Sequence, residues 1–344
     1  MYNLTEGGRA TLETAPGKVP SLAGKNGFPA KVGLFFPFIA SLLLVAEHLW
    51  LPNSHFMTLK PYFRWLIFTL TVTLGVTALY ASLKREGTKG VKSFAGKAPL
   101  ITALLTGIIL WDVVTLKFGL LPLPYFPSPA AVVGALVTER EILAVSVLYS
   151  LRLLFIGYGL GILIGLPTGL LMGWYPRAHY WLNPVLRMIG PIPATAWIPI
   201  AMVIFPTSFI ASVFLLVLAC WFPITVMTMS GVANVNKNYY EVARSLGASE
   251  AYLLLKVALP AAMPTIFVGL FMSLGFGFIT LIVAEMLGVK AGLGWFITWA
   301  QGWAEFSKVY AVLIVMACLF SGLITLLFRV RDQVLSWQKG LIKW

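Results

Sequence analysis

The side chains able to do acid–base, nucleophilic or metal chemistry are few in this 344-residue chain, and they are scattered. Its three histidines, His48, His55 and His179, share no spacing that would put two imidazoles on one ion, and HExxH does not occur. No Ser/His/Asp or Cys/His set can be assembled. Cys220 and Cys318 sit in apolar runs and read as small packing residues, not as a disulfide framework. A phosphate loop of the form GxxxxGK(S/T) is missing, so the chain is expected to bind no nucleotide, cofactor or metal and to catalyse nothing itself. What remains are charges inside or beside apolar runs: Glu47, Asp112, Arg152, Arg187 and Glu285. Most fall near run ends, where a long side chain reaches the headgroup layer. Asp112 is the deepest and is the candidate for a buried charge on a transport pathway, with a structural role as the alternative.

The elements that must position these residues are membrane spans. Hydrophobic residues make up 59% of the chain and charged ones 11%, against roughly 25% in an ordinary soluble domain, which speaks against a water-soluble enzyme. The 25 Lys and Arg against 12 Asp and Glu give a net charge of +13. In so apolar a chain this excess points to anionic lipid headgroups and not to nucleic acid. After a polar tail over 1–31, which lacks the apolar centre of a secretory signal, eight runs are long enough to cross a ~30 Å hydrocarbon layer: 32–51, 63–83, 99–118, 149–172, 183–205, 208–229, 262–285 and 309–328. Basic residues sort to one side of this arrangement. They are Arg9, Lys18, Lys25 and Lys31 in the tail, Lys84, Arg85, Lys89, Lys92 and Lys97 in the second loop, Lys237, Arg244 and Lys256 after the sixth run, and Arg329, Arg331, Lys339 and Lys343 after the last. Loops 119–148 and 286–308 carry few, balanced charges. Both termini are therefore expected in the cytoplasm.

Two spans carry internal punctuation. Gly157, Gly161, Gly165, Gly169 and Gly173 recur every four residues, which puts them on one slanted ridge where a second helix can approach closely. Helix packing is the direct reading, lining a path the alternative. The fifth run contains Pro184, Pro191, Pro193 and Pro199, so a straight helix is not expected there; Pro191 and Pro193 mark either a broken, cavity-lining helix or a structural kink.

The most polar stretch of the second half, 236–260, reads as a helix–turn–helix elbow. Lys237–Leu246 has no Gly or Pro, Gly247 suits the left-handed position after a helix, and Ser249 with Glu250 suits a new start. A second short helix is expected over Ala251–Ala258, stopped or kinked by Pro260, with Tyr252, Leu255 and Leu259 as an apolar stripe. A corner of small residues such as Ala243 and Ala248 suits insertion into a groove on another protein.

The spacing Glu241-Val242-Ala243, three residues, Gly247, nine residues, Val257-Ala258-Leu259-Pro260 resembles the signature loop of the permease subunits of binding-protein-dependent ABC importers, with Val242 and Val257 as mild departures. Pro127-Ser128-Pro129 followed by Val132, Ser150-Leu151-Arg152, Pro191-Ile192-Pro193, Ala284-Glu285-Met286 and Gly292-Leu293-Gly294 resemble the branch that includes nitrate, sulfonate and taurine importers. The resemblance covers roughly 99–344 and leaves 32–98 as two additional spans with their basic loop.

This likeness implies an all-α, polytopic type I importer permease core of about six helices. It also implies partners: a second permease subunit, identical or different, a cytoplasmic ATPase dimer that binds the ATP, and a soluble substrate-binding protein, all at a bacterial inner membrane. By carry-over the elbow residues are Glu241, Ala243, Leu246, Gly247, Ala248, Leu259 and Pro260. The branch implies a small anion such as nitrate, a sulfonate or taurine, with bicarbonate-type or vitamin-precursor substrates as alternatives. Competing readings are an ion-gradient-driven transporter, which would want intramembrane carboxylates and repeats, a membrane-embedded enzyme, and an assembly protein.

Overall fold

The computed structural model describes residues 32–54, 60–83 and 89–337. The polar tail, His55, Lys84, Arg85, Lys339 and Lys343 lie outside them. Among the described residues all regular elements are helical: α1 (Phe36–Trp50), α2 (Tyr62–Leu83), α3 (Lys89–Asp112), α4 (Pro129–Thr138), α5 (Arg140–Trp174), α6 (Pro176–Ile189), α7 (Ile198–Ile204), α8 (Ser208–Ala233), α9 (Lys237–Ser245), α10 (Glu250–Tyr252), α11 (Leu259–Gly288), α12 (Leu293–Gly302) and α13 (Phe306–Val334). The third span ends in a π turn over Val113–Lys117, and a second π turn over Leu253–Ala258 joins α10 to α11.

Seven helices are long and apolar enough to cross a membrane, and α6 with Ala194–Ile204 forms an eighth candidate bent by 84°. The break falls at Pro191 and Pro193, which have no amide to donate to the preceding turn, although Gly190 itself keeps helical torsions (φ −56°, ψ −43°). Pro184 stays within α6, and Pro199 sits in the first turn of α7, where no backbone donor is needed. Thr207 then accepts a hydrogen bond from the Ile210 amide (3.3 Å) and starts α8 after a very short turn.

The bent pair must traverse the full layer, because α5 and α8 run parallel. Gly157 faces Leu216, Gly161 faces Cys220, Gly165 faces Ile224, Gly169 faces Thr228 and Gly173 faces Val232. Both series step by four in the same direction, so the chain leaves α5 at one face and starts α8 at the other. In contrast α11 is antiparallel to both: the Tyr158 hydroxyl donates to the Leu270 carbonyl (2.9 Å), while Ser150 meets Glu285. With eight passes, the start of α1, the elbow and the end of α13 share one end of the bundle.

Leu216, Cys220 and Ile224 of α8 have no exposed surface. On the five-glycine ridge a Cβ added to Gly161 would lie 2.6 Å from Cys220 Cβ, and one on Gly169 would lie 2.6 Å from the Thr225 carbonyl oxygen. This is van der Waals packing of backbone against side chain, the form of association that works when lipid removes the hydrophobic drive between helices. A second cluster around Leu44, Phe63, Ile67 and Leu105 binds α1 and α2 to α3. Large apolar residues left exposed, such as Val76, Leu79 and Leu163, face outward as lipid-facing residues do.

Several expectations need correction. Helical spans begin earlier than hydropathy suggests, at Arg140 in place of 149 and at Lys89 in place of 99, because polar turns outside the layer continue the same helices. Pro260 does not stop a short helix. The elbow's second arm runs without interruption through the π turn into α11, giving one apolar helical stretch over Glu250–Gly288. The wider turn just before Pro260 relieves the clash that proline would make with the preceding turn. Finally, loops 119–148 and 286–308 hold short helices, α4 and α12.

Candidate functional site

The elbow is built on α9. Asn236 caps its start by accepting from the Asn238 amide (3.0 Å). At the other end the Ala248 amide donates to the Ala243 carbonyl (3.1 Å) and the Gly247 amide to the Arg244 carbonyl (2.9 Å). These are the two bonds of a Schellman motif, and Gly247 occupies its left-handed position with φ +83°. Ser249 then accepts from the Tyr252 amide (3.3 Å) and opens the next helix. An Arg244–Glu250 ion pair (3.0 Å) spans the corner, but both side chains are more than half exposed, so it contributes little to stability.

Inward, Tyr240 stands edge-on against Trp174 at the end of α5 (5.3 Å between ring centres) and packs with Leu254 and Ala258. Burial pushes the Tyr240 phenol above its ordinary pKa, and its hydroxyl has no hydrogen-bond partner among the described residues. Outward, Tyr239, Val242, Leu246 and Tyr252 are exposed, Leu246 by 84%. Together with Ala243 and Gly247 they line a concavity of about 680 Å³. Apolar side chains projecting at the polar end of the bundle form a surface suited to a partner protein. Glu241 is exposed beside them and Ala248 is half-buried at the corner. Leu259 and Pro260, grouped with the elbow by spacing, instead belong to the helical shaft, where Leu259 packs against the bundle.

A second feature lies at the broken span. Pro191, Pro193, Thr195, Phe222, Pro223 and Thr280 are among the residues around a cavity of about 340 Å³, and no ionisable residue lines it. Pro223, inside α8, cannot donate to the Ala219 carbonyl, and Ala219 also faces the cavity. Unpaired backbone at this depth is tolerated where protein or a cavity receives it. Asp112 is not part of this cavity. It is fully buried at the end of α3, 3.2 Å from His48 Nδ1 of α1.

The charge that local sequence reading underrated is Glu285. Its position near a run end suggested a side chain reaching headgroups; the structure buries it to 1% exposure. Glu285 Oε2 accepts from the Ser150 hydroxyl (2.9 Å) and from the Gly294 amide (2.9 Å), while Ser150 Oγ accepts from the Leu293 amide (2.9 Å). A carboxylate at the end of α11 thus holds the N-terminus of α12 against α5. Gly292 permits it: its φ is +139°, and any Cβ there would overlap the Glu285 carboxyl. The signal available was the presence of Ser150, Glu285 and Gly292-Leu293-Gly294 among the motif residues, though nothing local joined them. Glu285→Ala leaves the Ser150 hydroxyl and the Gly294 amide without an acceptor, so it should cost about 2–4 kcal/mol, while Glu285→Gln keeps an oxygen in place and should cost less. Thermal unfolding of the purified variants checks this order.

Seven apolar helices, a bent eighth candidate and an exposed helix–turn–helix elbow define a polytopic membrane bundle. Residues 160–337 match the family of binding-protein-dependent transport system inner membrane components. The aliphatic sulfonates transport permease protein SsuC of Bacillus subtilis (strain 168) is 30% identical over 252 residues, which is 71% of this chain and 88% of that protein. The bicarbonate transport system permease protein CmpB of Synechococcus elongatus is 33% identical over 53% of this chain and 63% of its own length. The nitrate import permease protein NrtB of Leptolyngbya laminosa is 32% identical over 52% and 63% respectively. Among solved structures, a chain of the MetNI methionine ABC transporter in an inward-facing conformation shares the fold, with a TM-score of 0.50, 20% identity, and coverage of 57% of this chain and 98% of that one. The chain belongs to the binding-protein-dependent transport system inner membrane component family: it is a multi-pass ABC transporter permease. The family match begins within α5, so α1 to α4 precede it.

Proposed function

We propose that this chain is one of two membrane-spanning subunits of an ATP-driven importer, that its elbow docks in a cleft of a cytoplasmic ATPase dimer, and that it passes a small anion such as nitrate, a sulfonate or taurine delivered by a soluble binding protein. The observation that carries the reading is the Schellman corner at Gly247, which projects exposed Val242 and Leu246 from the end of the helical stretch that runs on to Glu285. That stretch, at ~1.5 Å per residue, crosses a ~30 Å layer with length to spare on the elbow side. ATP-driven approach of two ATPase subunits would move the elbows, and the long helix would carry the movement to the far face, switching access to the pathway. The free energy enters as a difference in affinity between two states. On this reading both termini and the elbow are cytoplasmic, in accord with the sorting of basic residues.

The cavity at Pro191 and Pro193 is the candidate pathway segment. Its lining offers hydroxyls and backbone but no cation. On this reading anion selectivity falls to the binding protein, and the relatives' sulfonate, bicarbonate and nitrate names support a small anion as substrate. The same lining offers no carboxylate to couple an ion gradient. The test is a cysteine crosslink. Leu246→Cys, co-expressed with an ATPase subunit of the same transporter class carrying cysteines along its cleft, should give a covalent adduct, whereas Leu163→Cys on the outward face of α5 should give none. Equal yields at both positions, or none at either, refute the docking.

A further inference from the structure

The broken span rests on α8 through a ring and a glycine. Phe222 stands near the middle of the 26-residue α8, at the depth where a barrier between the two faces is needed. Its ring lies on the backbone of Gly190, the residue that caps α6 just before Pro191; a Cβ built on Gly190 would overlap the Phe222 ring. The close approach of ring to backbone is what requires glycine there. Phe222 also lines the cavity of about 340 Å³ at the break. So does Phe276 of α11, whose side chain is 52% exposed.

On its other side α8 is held fast. Cys220 and Ile224, two residues to either side of Phe222, have no exposed surface and seat against Gly161 and Gly165 of α5. The movable side of the contact is therefore the broken span. Residues 191–193 belong to no helix, and Pro191 and Pro193 supply no amide to tie them down. A few such residues between two helical arms bent by 84° are where a change of angle is absorbed. Any such change moves Gly190 across α8 and takes the seat from under the Phe222 ring.

The chemistry of the cavity makes the ring's place decisive. No ionisable residue lines it, so an anion crosses only together with its water. A ring that closes such a neck excludes water, and a dewetted neck bars ions without using any charge. We propose that Phe222 is the movable closure of the pathway. Seated on Gly190 it shuts the segment; bending at residues 191–193 unseats it and lets a hydrated anion pass. This inference rests on reading the cavity as part of the pathway, and the test separates the two.

The test is thiol accessibility in right-side-out and inverted membrane vesicles from cells expressing the full chain. The exposed Cys318 is replaced by serine, and Thr195, which lines the cavity, by cysteine. The probe is a membrane-impermeant methanethiosulfonate that carries a sulfonate. With Phe222 in place, Thr195→Cys should react from one face only. Adding Phe222→Ala should raise the rate from the other face at least tenfold. Gly190→Ala, whose methyl displaces the ring, should do the same, a change of access that a merely structural contact would not produce. Phe222→Leu keeps apolar bulk and serves where alanine prevents folding; it should give two-sided reaction with a smaller gain. Reaction from one face at equal rates with and without the ring, or from both faces with the ring in place, overturns the gate and leaves the pathway standing. Reaction from neither face in any variant overturns the pathway reading, and the gate with it.

Discussion

Gly247→Val is expected to cut uptake in reconstituted vesicles about tenfold or more while leaving the bundle folded. The argument turns on torsion and not on space. A Cβ at Gly247 meets nothing within 4 Å, so valine collides with no neighbour. At φ +83°, however, an L-residue pays roughly 1–2 kcal/mol, and a β-branched one more. That is enough to depopulate the native corner about tenfold, because the two bonds closing it, Gly247 to Arg244 and Ala248 to Ala243, form only in the left-handed geometry. The exposed Val242 and Leu246 would then no longer project together. Asparagine tolerates the left-handed region, so Gly247→Asn should retain most uptake and Gly247→Ala should fall between the two. Thermal unfolding of all three should stay within about 2 kcal/mol of the wild type, since the strain is confined to an exposed corner. Uptake by Gly247→Val equal to that of Gly247→Asn would show that the corner's geometry does not matter for coupling.

How much of this was legible depended on whether the cause was local. Gly247 and Ser249 announced the corner because caps act within four residues. The proline pair at Pro191 and Pro193 likewise announced the break, since two prolines so close remove two backbone donors from one turn. The same rule misled at Pro260, where a π turn over Leu253–Ala258 absorbs the clash and lets the helix continue. Short α4 and α12 were overlooked among Gly and Pro, although Ser128 before Pro129 is an N-cap signal: its hydroxyl accepts from the Ala131 amide (3.3 Å). The Glu285 contacts and the Asp112–His48 pair were not legible, because their partners lie 135 and 64 residues away. Sequence spacing says a charge is present; only the fold says what satisfies it.

The glycine ridge joins both kinds of cause and yields the largest expected loss of stability. Its period of four was readable within α5, but the matching series on α8, Leu216, Cys220, Ile224, Thr228 and Val232, carried no marking of its own. Gly169→Val should prevent accumulation of folded protein, because the new Cβ would lie 2.6 Å from both the Thr225 carbonyl oxygen and Thr228 Cβ. A backbone carbonyl cannot rotate away, and the two helices must separate along their length; overpacking alone costs about 1–3 kcal/mol per added group, and valine adds three carbons. Gly159→Ala on the same helix meets nothing within 4 Å and should stay within about 0.5 kcal/mol of the wild type. Reciprocity gives the sharper check. Gly161→Ala places its methyl 2.6 Å from Cys220 Cβ, so Cys220→Gly, itself destabilising, should relieve Gly161→Ala in the double variant. The coupling should fall in the range of about 0.5–3 kcal/mol typical of residues in contact. Strict additivity of the two changes, read from thermal unfolding in detergent, would mean that α5 and α8 do not meet along this ridge.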